Sequence, residues 1–536
     1  MTTPLSGPKS DAGLAADVVV IGAGAAGLSA AISAAGAGAS VIVVEANVDV
    51  GGHAILSGGG VSFGGGTSLQ KKYGIVDSAD QVYLDHTDHR SQLLGRSDRD
   101  LVRVFADESA ATFEFLLQNG VKFKDGPPAR LPGSFNGSVP RRTSAAPSSD
   151  DWNDTINGSG GSGIVRPLEA SARRKGVRFL LRHRMTRILR QDSHHGGGRV
   201  TGIITDHDGS QVMIAASQGV LIATGGHSSS VDFRRAIDAR LTEEYQTAGE
   251  PWTKQNAEGE FAALEIGAAL WGLGIAGTES ERSLGGGLTI TKTAHIGCRY
   301  GYVGLKWDPR SPVFAAAGAS GLTVRDFSDL MLVNQAGERF WNECDDSAAF
   351  INACLGTNGN LGTDGKANGG GPIWAIFDST AVRREGWDPF PPNVDPTGWF
   401  FSADSLGALA RQIDNPYQRK PIAASSLEES VARYNSALSA GEDRQFGKPV
   451  PANRAEALQL RILVPPFYAA WATPILHDSV TGLRIDKKCR VLNWRGEAIP
   501  GLYCAGESAG GYGLHGLPRA LVFGRIAGRE AGIQRA

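Results

Sequence analysis

The chain has 536 residues, with 53 lysines and arginines against 55 aspartates and glutamates and a formal net charge of -2. That balance leaves no electrostatic footprint for nucleic acid or an anionic membrane surface, and no apolar run reaches the length of a transmembrane helix. A chain this long suits two or three domains, or one large doubly wound core with an inserted cap.

Residues 1–14 read as a polar lead-in, since MTTPLSGPKSDAGLA lacks the cationic segment and apolar core of a secretory signal. From Asp17 the sequence DVVVIGAGAAGLSAAISAAGAGAS runs into VIVVEAN. Val18 to Ile21 predicts a buried parallel strand, and Gly22, Gly24 and Gly27 follow with G-x-G-x-x-G spacing. The first glycine suits a tight turn, the second lets backbone approach a pyrophosphate, and the third lets the next helix pack on the strand. That Ala-rich helix points its first amides, at Ala25 and Ala26, toward the phosphates. After a second strand, Val41 to Val44, Glu45 and Ala46 reach the ribose; a carboxylate there would repel a 2'-phosphate, so the ligand is FAD or NAD rather than NADP.

Glycines then crowd together again in GGHAILSGGG (Gly51 to Gly60) and at Gly64 to Gly66. Backbone is being brought against something bulky beyond the ribose, and a flavin ring is the natural candidate. Gly51, Gly52, His53, Ser57, Gly58, Gly59 and Gly60 are the expected contacts. Arg99 to Asn119 has helical spacing. Pro127 to Gly163, rich in Gly, Ser, Pro and Asn, reads as a mobile surface insertion rather than a functional lid. A basic helix from Pro167 leads into three stretches that suit an antiparallel meander, VRFLLRHRMTRILR, RVTGIITDHDG and QVMIAASQGVLIATGG. The last ends in a turn at the nucleotide, with Ala223, Thr224, Gly225 and Gly226. His194 and His195 read as exposed loop residues, with no cysteine or acid cluster to make a metal site.

From about Gly277 to Ala472 the α/β rhythm is lost. The five cysteines form no C-x-x-C pair, which excludes haem attachment and an iron–sulfur run and fits a reducing cytoplasm. There is no second glycine fingerprint for a nicotinamide cofactor, so electrons must pass through a substrate, oxygen, a quinone-like acceptor or a separate reductase. Oligomeric state is not set by any of these features.

These segments, together with GEFAALEIGAAL (Gly259 to Leu270), VNQAGERFWNE (Val333 to Glu343), TPILHDSVTGLRID (Thr473 to Asp486), GLYCAGE (Gly501 to Glu507) and FGRIAGREAG (Phe523 to Gly532), resemble one flavoprotein superfamily. It comprises fumarate reductases, succinate dehydrogenases and 3-ketosteroid dehydrogenases, and the likeness spans the chain from about Asp17 onward. The resemblance implies an α/β protein: a Rossmann-like FAD-binding domain of the glutathione-reductase type, discontinuous over 15–275 and 474–536, with an α+β capping substrate domain at 276–473. It also implies cofactor contacts at Thr224 to Gly226, Glu258, Gly259, Gly506 and Glu507, with Glu507 as ribityl partner. In the membrane enzymes a His at the place of His53 carries a covalent flavin bond; a hydrogen bond from His53 is the favoured reading here.

The resembled fumarate reductases bind substrate carboxylates with a His-His pair, of which this chain keeps His477 and replaces the second by Asp478. A negative charge there is costly beside a dicarboxylate. Their proton-donating Arg has no counterpart among Asp345, Asp346 and Ser347, and the Tyr of the ketosteroid enzymes is missing at Ser347. Neither fumarate nor succinate is therefore expected as substrate. The terminal loop GESAGGYGLHGLPRALVFGR offers Tyr512 as enolising acid or base, or as packing against the ring, and His515 as donor or base. It offers Arg519 as anion anchor, or as a neutralising charge, just before helix amides at Ala520 and Leu521 that would face flavin O2. Trp307, Trp341, Trp374, Trp387 and Trp399 would suit a hydrophobic substrate if they line the cap.

The expected activity is FAD-dependent desaturation of a small cyclic or steroid-like ketone, with an external electron acceptor. An ene-reductase acting on an unsaturated acid and a flavin electron-transfer subunit are the alternatives.

Overall fold

The computed structural model describes residues 14–87, 97–130, 138–192, 197–272, 278–279, 282–285, 288–301, 305–346, 348–356, 371–514 and 516–533. His194, His195, Ser347 and His515 lie outside them. The apolar run before the glycine fingerprint forms β1 (Leu14–Ile21), the Ala-rich segment forms α1 (Ala25–Gly36), and VIVVE forms β2 (Val41–Glu45). β1 and β2 pair in parallel from Val18↔Val41 to Ile21↔Val44. Continuous Val and Ile runs suit strands buried on both faces.

Two short strands follow, β3 (Gly60–Ser62) and β4 (Arg142–Ser144), paired with each other. β5 (Arg178–Leu181) extends the main sheet beside β2, while β6 (Arg184–Asp192) and β7 (Gly197–His207) form the expected meander with β8 (Ser210–Ile222). The second half of β8 returns to lie parallel to β1, with Val20 against Leu221 and Ile21 against Ile222. Strands Ala498–Cys504 and Arg490–Leu492 complete an eight-stranded sheet. The C-terminal segment thus returns to the first βαβ unit.

The helix Leu517–Gly532 seals that return by lying against α1. Gly524, Gly528 and Gly532 face Ala26, Ala30 and Ala34, two stripes of small residues with matching four-residue spacing. A Cβ on Gly524 would lie 2.3 Å from the Ala26 carbonyl oxygen, and one on Gly528 2.0 Å from that of Ala30. Backbone therefore meets backbone along the contact.

The inserted half is built on an antiparallel sheet ordered Met331–Val333, Trp374–Asp378, Phe467–Trp471, Phe400–Ala403. The apolar side chains gather into one core around the eight-stranded sheet and two in the insertion, yet Trp307 joins the first and Leu241 and Tyr245 a later one. Domain boundaries at 275/276 and 473/474 stand as a proposal drawn from the change in topology.

The segment VNQAGERFWNE gains a physical reason here in a buried ion network. Arg339 donates to Glu343 at 2.7 and 2.8 Å and to Asp443 at 2.8 Å, and the Lys448 ammonium lies 3.6 Å from Glu343. Burial pushes the Glu343 carboxyl up, but the Arg339 and Lys448 charges outweigh it and hold the group below its ordinary value.

Three expectations change. Residues 138–163 are not a mobile insertion: β4 lies within them, the Ser159 hydroxyl donates to the Ile55 carbonyl, and Gly160 backbone packs on Gly59. The helix expected from Pro167 starts earlier, at Ser162, with the proline inside it. Trp307, Trp374 and Trp399 are core residues, and Trp341 and Trp387 pack against the core of the insertion, so the tryptophans do not furnish a substrate pocket.

Candidate functional site

A cleft of about 540 Å³ opens at the carboxyl ends of β1, β2 and β8, where open α/β sheets bind ligands. Its floor is the glycine turn. Gly22 sits at φ +99° with its Cα against the Ala223 carbonyl, so a Cβ there would meet that oxygen at 2.3 Å. A Cβ on Gly27 would lie 1.9 Å from the Gly22 oxygen, which sets the close packing of helix on strand. Gly24 differs, because its nearest would-be neighbour is 3.9 Å away and it faces the cleft. A tight turn, an open approach and a packing contact are the three roles an adenine dinucleotide needs from this spacing.

Ala25 and Ala26 line the cleft at the start of α1. Glu45 accepts from the Ala23 amide at 2.7 Å and from the Asn47 amide at 2.8 Å, which fixes its carboxyl at the end of β2 in reach of ribose. Ala46, Gly52, His53, Ser57, Gly58, Gly60, Ala223, Thr224, Gly225, Glu258, Gly506, Glu507 and Ala520 also line it. Gly51, Gly59, Gly226 and Gly259 instead stand behind the wall, packed against Ile55, Gly160, Ser479 and Ile222 respectively. Leu521 is fully buried in the core behind Ala520, so of that pair only Ala520 faces the cleft. Glu258 is paired with Arg184.

The far end of the cleft carries the reactive side chains. Strand Ile475–Ser479, paired with Leu288–Thr291 of the insertion, presents His477 and Asp478. The His477 ring lies edge-on to His53 with centroids 5.7 Å apart, and its Nδ1 is 3.7 Å from the Asp478 carboxyl. Gln255, which the sequence did not single out, ties the group together: its Nε2 donates to Glu507 at 2.9 Å and lies 3.3 Å from His53 Nδ1. Ligand atoms of His53, Asp478 and Glu507 all fall within 4.8 Å of one another. Burial and the Asp478 charge push the Glu507 carboxyl up to about 8, so at neutral pH these two acids hold a proton between them.

The terminal-loop residues do not join this group. Tyr512 is buried, its hydroxyl 2.7 Å from His86 Nδ1 and its ring among Phe105 and Phe523. Burial holds the Tyr512 phenol well above its ordinary value and pulls His86 down to about 4, so the pair is neutral. Its enolising role is therefore withdrawn. Arg519 is also buried; it donates to the Tyr512 carbonyl at 2.9 Å and the Ser479 carbonyl at 2.7 Å, and braces the cleft from behind. It is not among the cleft-lining residues, so direct anion anchoring by Arg519 is withdrawn too.

A βαβ glycine turn with a ribose acid, followed by a glycine-walled groove lined with His and carboxyl groups, suits an adenine dinucleotide that carries a bulky ring beyond its ribose. The chain belongs to the FAD binding domain family, whose model matches residues 17–263 and 305–520. It is 28% identical to a fumarate reductase (cytochrome) of Shewanella frigidimarina over 96% of this chain and 76% of that protein. It is 26% identical to the acrylate reductase flavoprotein subunit of Shewanella woodyi over 96% and 90%. The fold matches the solved 3-ketosteroid Δ1-dehydrogenase of Sterolibacterium denitrificans, with a TM-score of 0.65, 19% identity, and coverage of 97% and 99%. The flavoprotein resemblance read from the sequence is therefore shown, and the protein is an FAD-dependent oxidoreductase similar to fumarate reductases. Among the described residues no helix is long and apolar enough to cross a membrane.

His53 lines the groove with its Nδ1 beside Gln255, a contact that orients it as a hydrogen-bonding group. We expect FAD to be non-covalently bound. Acid precipitation should release all the yellow colour into the supernatant, and colour kept in the washed pellet would establish a tether through His53.

Proposed function

We propose that the protein reduces a carbon–carbon double bond conjugated to a single carboxylate or carbonyl group. Bound FAD supplies the hydride donor. The observation that carries the reading is the Asp478–Glu507 pair beside His477 at the end of the groove. Those carboxyls oppose a second substrate carboxylate, and the proton between them stands next to His477 for delivery to the substrate carbon. Relatives named as fumarate and acrylate reductases support the reductive direction and show that two different unsaturated acids serve as substrates among them. Desaturation of a cyclic ketone loses its residue support with Tyr512 buried and the tryptophans in the cores. An electron-transfer role without small-molecule chemistry leaves the cluster of His477, Asp478 and Glu507 without a task.

The test is anaerobic. Dithionite-reduced protein is mixed with fumarate, an acrylate bearing a neutral 3-substituent, cyclohexenone, or buffer, and the return of the oxidised flavin absorbance is followed. We expect the monocarboxylate to reoxidise the protein at least about tenfold faster than fumarate, a difference of only ~1.4 kcal/mol. Silence with every alkene, together with bleaching of the oxidised protein by saturated ketones, reverses the assignment to a dehydrogenase.

A further inference from the structure

Arg142 is a groove-lining residue that neither the glycine fingerprint nor the family resemblance singled out. It stands on β4, and its guanidinium lies against Gly60 of β3. A Cβ on Gly60 would meet Nη2 at 1.9 Å, Cζ at 2.3 Å and Nε at 2.7 Å. The absence of a side chain at Gly60 is what lets the arginine enter the groove.

Its neighbour shows what an arginine normally finds in such a place. Arg141 points the other way and is held by Asp77 at 2.8 Å and Asp85 at 2.7 Å. Arg142 has no ion-pair or side-chain hydrogen-bond partner among the described residues, and burial alone acts on it, pulling its basicity down with no acid to offset the effect. The other basic groups of the groove are differently placed, since Arg184 is paired with Glu258 and Lys254 is exposed. A desolvated guanidinium without a counter-charge is unfavourable, and an oxyanion entering the groove removes that cost with two parallel hydrogen bonds.

We propose that Arg142 seats the activating oxyanion of the substrate, a carboxylate in the first instance. The inference rests on the reductive reading of the same groove and sharpens its substrate class. The same groove carries Arg142, unpaired among the described residues, and the Asp478–Glu507 acids. A matching substrate has one carboxylate on its alkene and a neutral or hydrogen-bond-donating group at the other end, as in a 3-aryl or 3-heteroaryl acrylate.

The probe is benzoate, which carries the carboxylate without a reducible alkene, with benzamide as its neutral counterpart. Each is titrated into FAD-loaded wild type, Arg142→Lys and Arg142→Met while the visible flavin spectrum is followed. We expect benzoate to bind wild type, to weaken at least about tenfold in Arg142→Met, and to be partly restored in Arg142→Lys. Benzamide binding and FAD content should stay the same in all three. For the alkene substrate, KM should rise more than kcat falls. Equal benzoate binding by wild type and Arg142→Met overturns the proposal, as does loss of FAD from Arg142→Met, which would make Arg142 a flavin ligand. If benzoate binding depends on Arg142 while no alkene reoxidises the reduced protein, the anion seat stands and the reductase reading falls.

Discussion

Gly528→Leu is expected to yield protein that holds no FAD and is largely insoluble. The isobutyl group would have to occupy space where even a Cβ lies 2.0 Å from the Ala30 carbonyl oxygen. That neighbour is backbone of α1, so no rotamer change relieves the clash, and separation of the helices is the only route left. Overpacking of a close-packed core typically costs ~1–3 kcal/mol when side chains can shift, and here they cannot. Moving α1 also moves the amides of Ala25 and Ala26, which line the phosphate end of the cleft. Stability and cofactor affinity therefore fail together. Gly36→Ala is the control, since a Cβ there meets nothing within 4 Å and alanine favours a helix. Flavin-to-protein absorbance ratios and melting temperatures of the two variants decide the matter, and normal FAD content in Gly528→Leu would falsify the packing account.

The second large effect is on pH dependence. The Glu507 carboxyl is raised from 4.5 to about 8 by burial and by Asp478, so folding favours its protonated form. Its contribution to stability is fully present below the ordinary carboxylate value and is lost as pH rises toward about 8. At ~1.4 kcal/mol per unit, such a shift corresponds to a few kcal/mol across the interval. Buried His86 and His295, pulled down to about 4, act in the opposite sense in both proteins, so the readout is the difference: the melting temperature of FAD-loaded wild type minus that of Glu507→Gln, which keeps the shape without titrating, should fall from mildly acid to mildly alkaline pH. Parallel profiles for wild type and Glu507→Gln would show that Asp478 and Glu507 do not share a proton.

The two predictions mark how unevenly the molecule could be read in advance. Gly22, Gly24 and Gly27 announced the cofactor turn because their spacing is a short-range pattern, even though the oxygen that bars a Cβ at Gly22 belongs to the distant Ala223, and Glu45 followed at the end of the next strand. FGRIAGREAG was visible as a family segment, but its pairing with Ala26, Ala30 and Ala34 joins residues almost five hundred positions apart. His477 was singled out from its motif, and Asp478 entered only as the residue standing where that motif has a second His. Tyr512 was misjudged because its loop position carries no information on which way the ring turns; His86 and Phe105 settled that by drawing it into the core.

The amino-acid sequence by itself determined the parallel βαβ start, the FAD class of ligand and the family, since these depend on residue type at short fixed spacing. Only the tertiary structure decided which side chains reach the groove. Arg142 lies in a Gly-, Ser- and Pro-rich stretch whose composition reads as loop, and nothing local distinguishes it from the ion-paired Arg141 beside it. Whether a guanidinium is neutralised or left facing a ligand depends on acids brought from elsewhere in the chain, here Asp77 and Asp85 for one arginine and, among the described residues, none for the other.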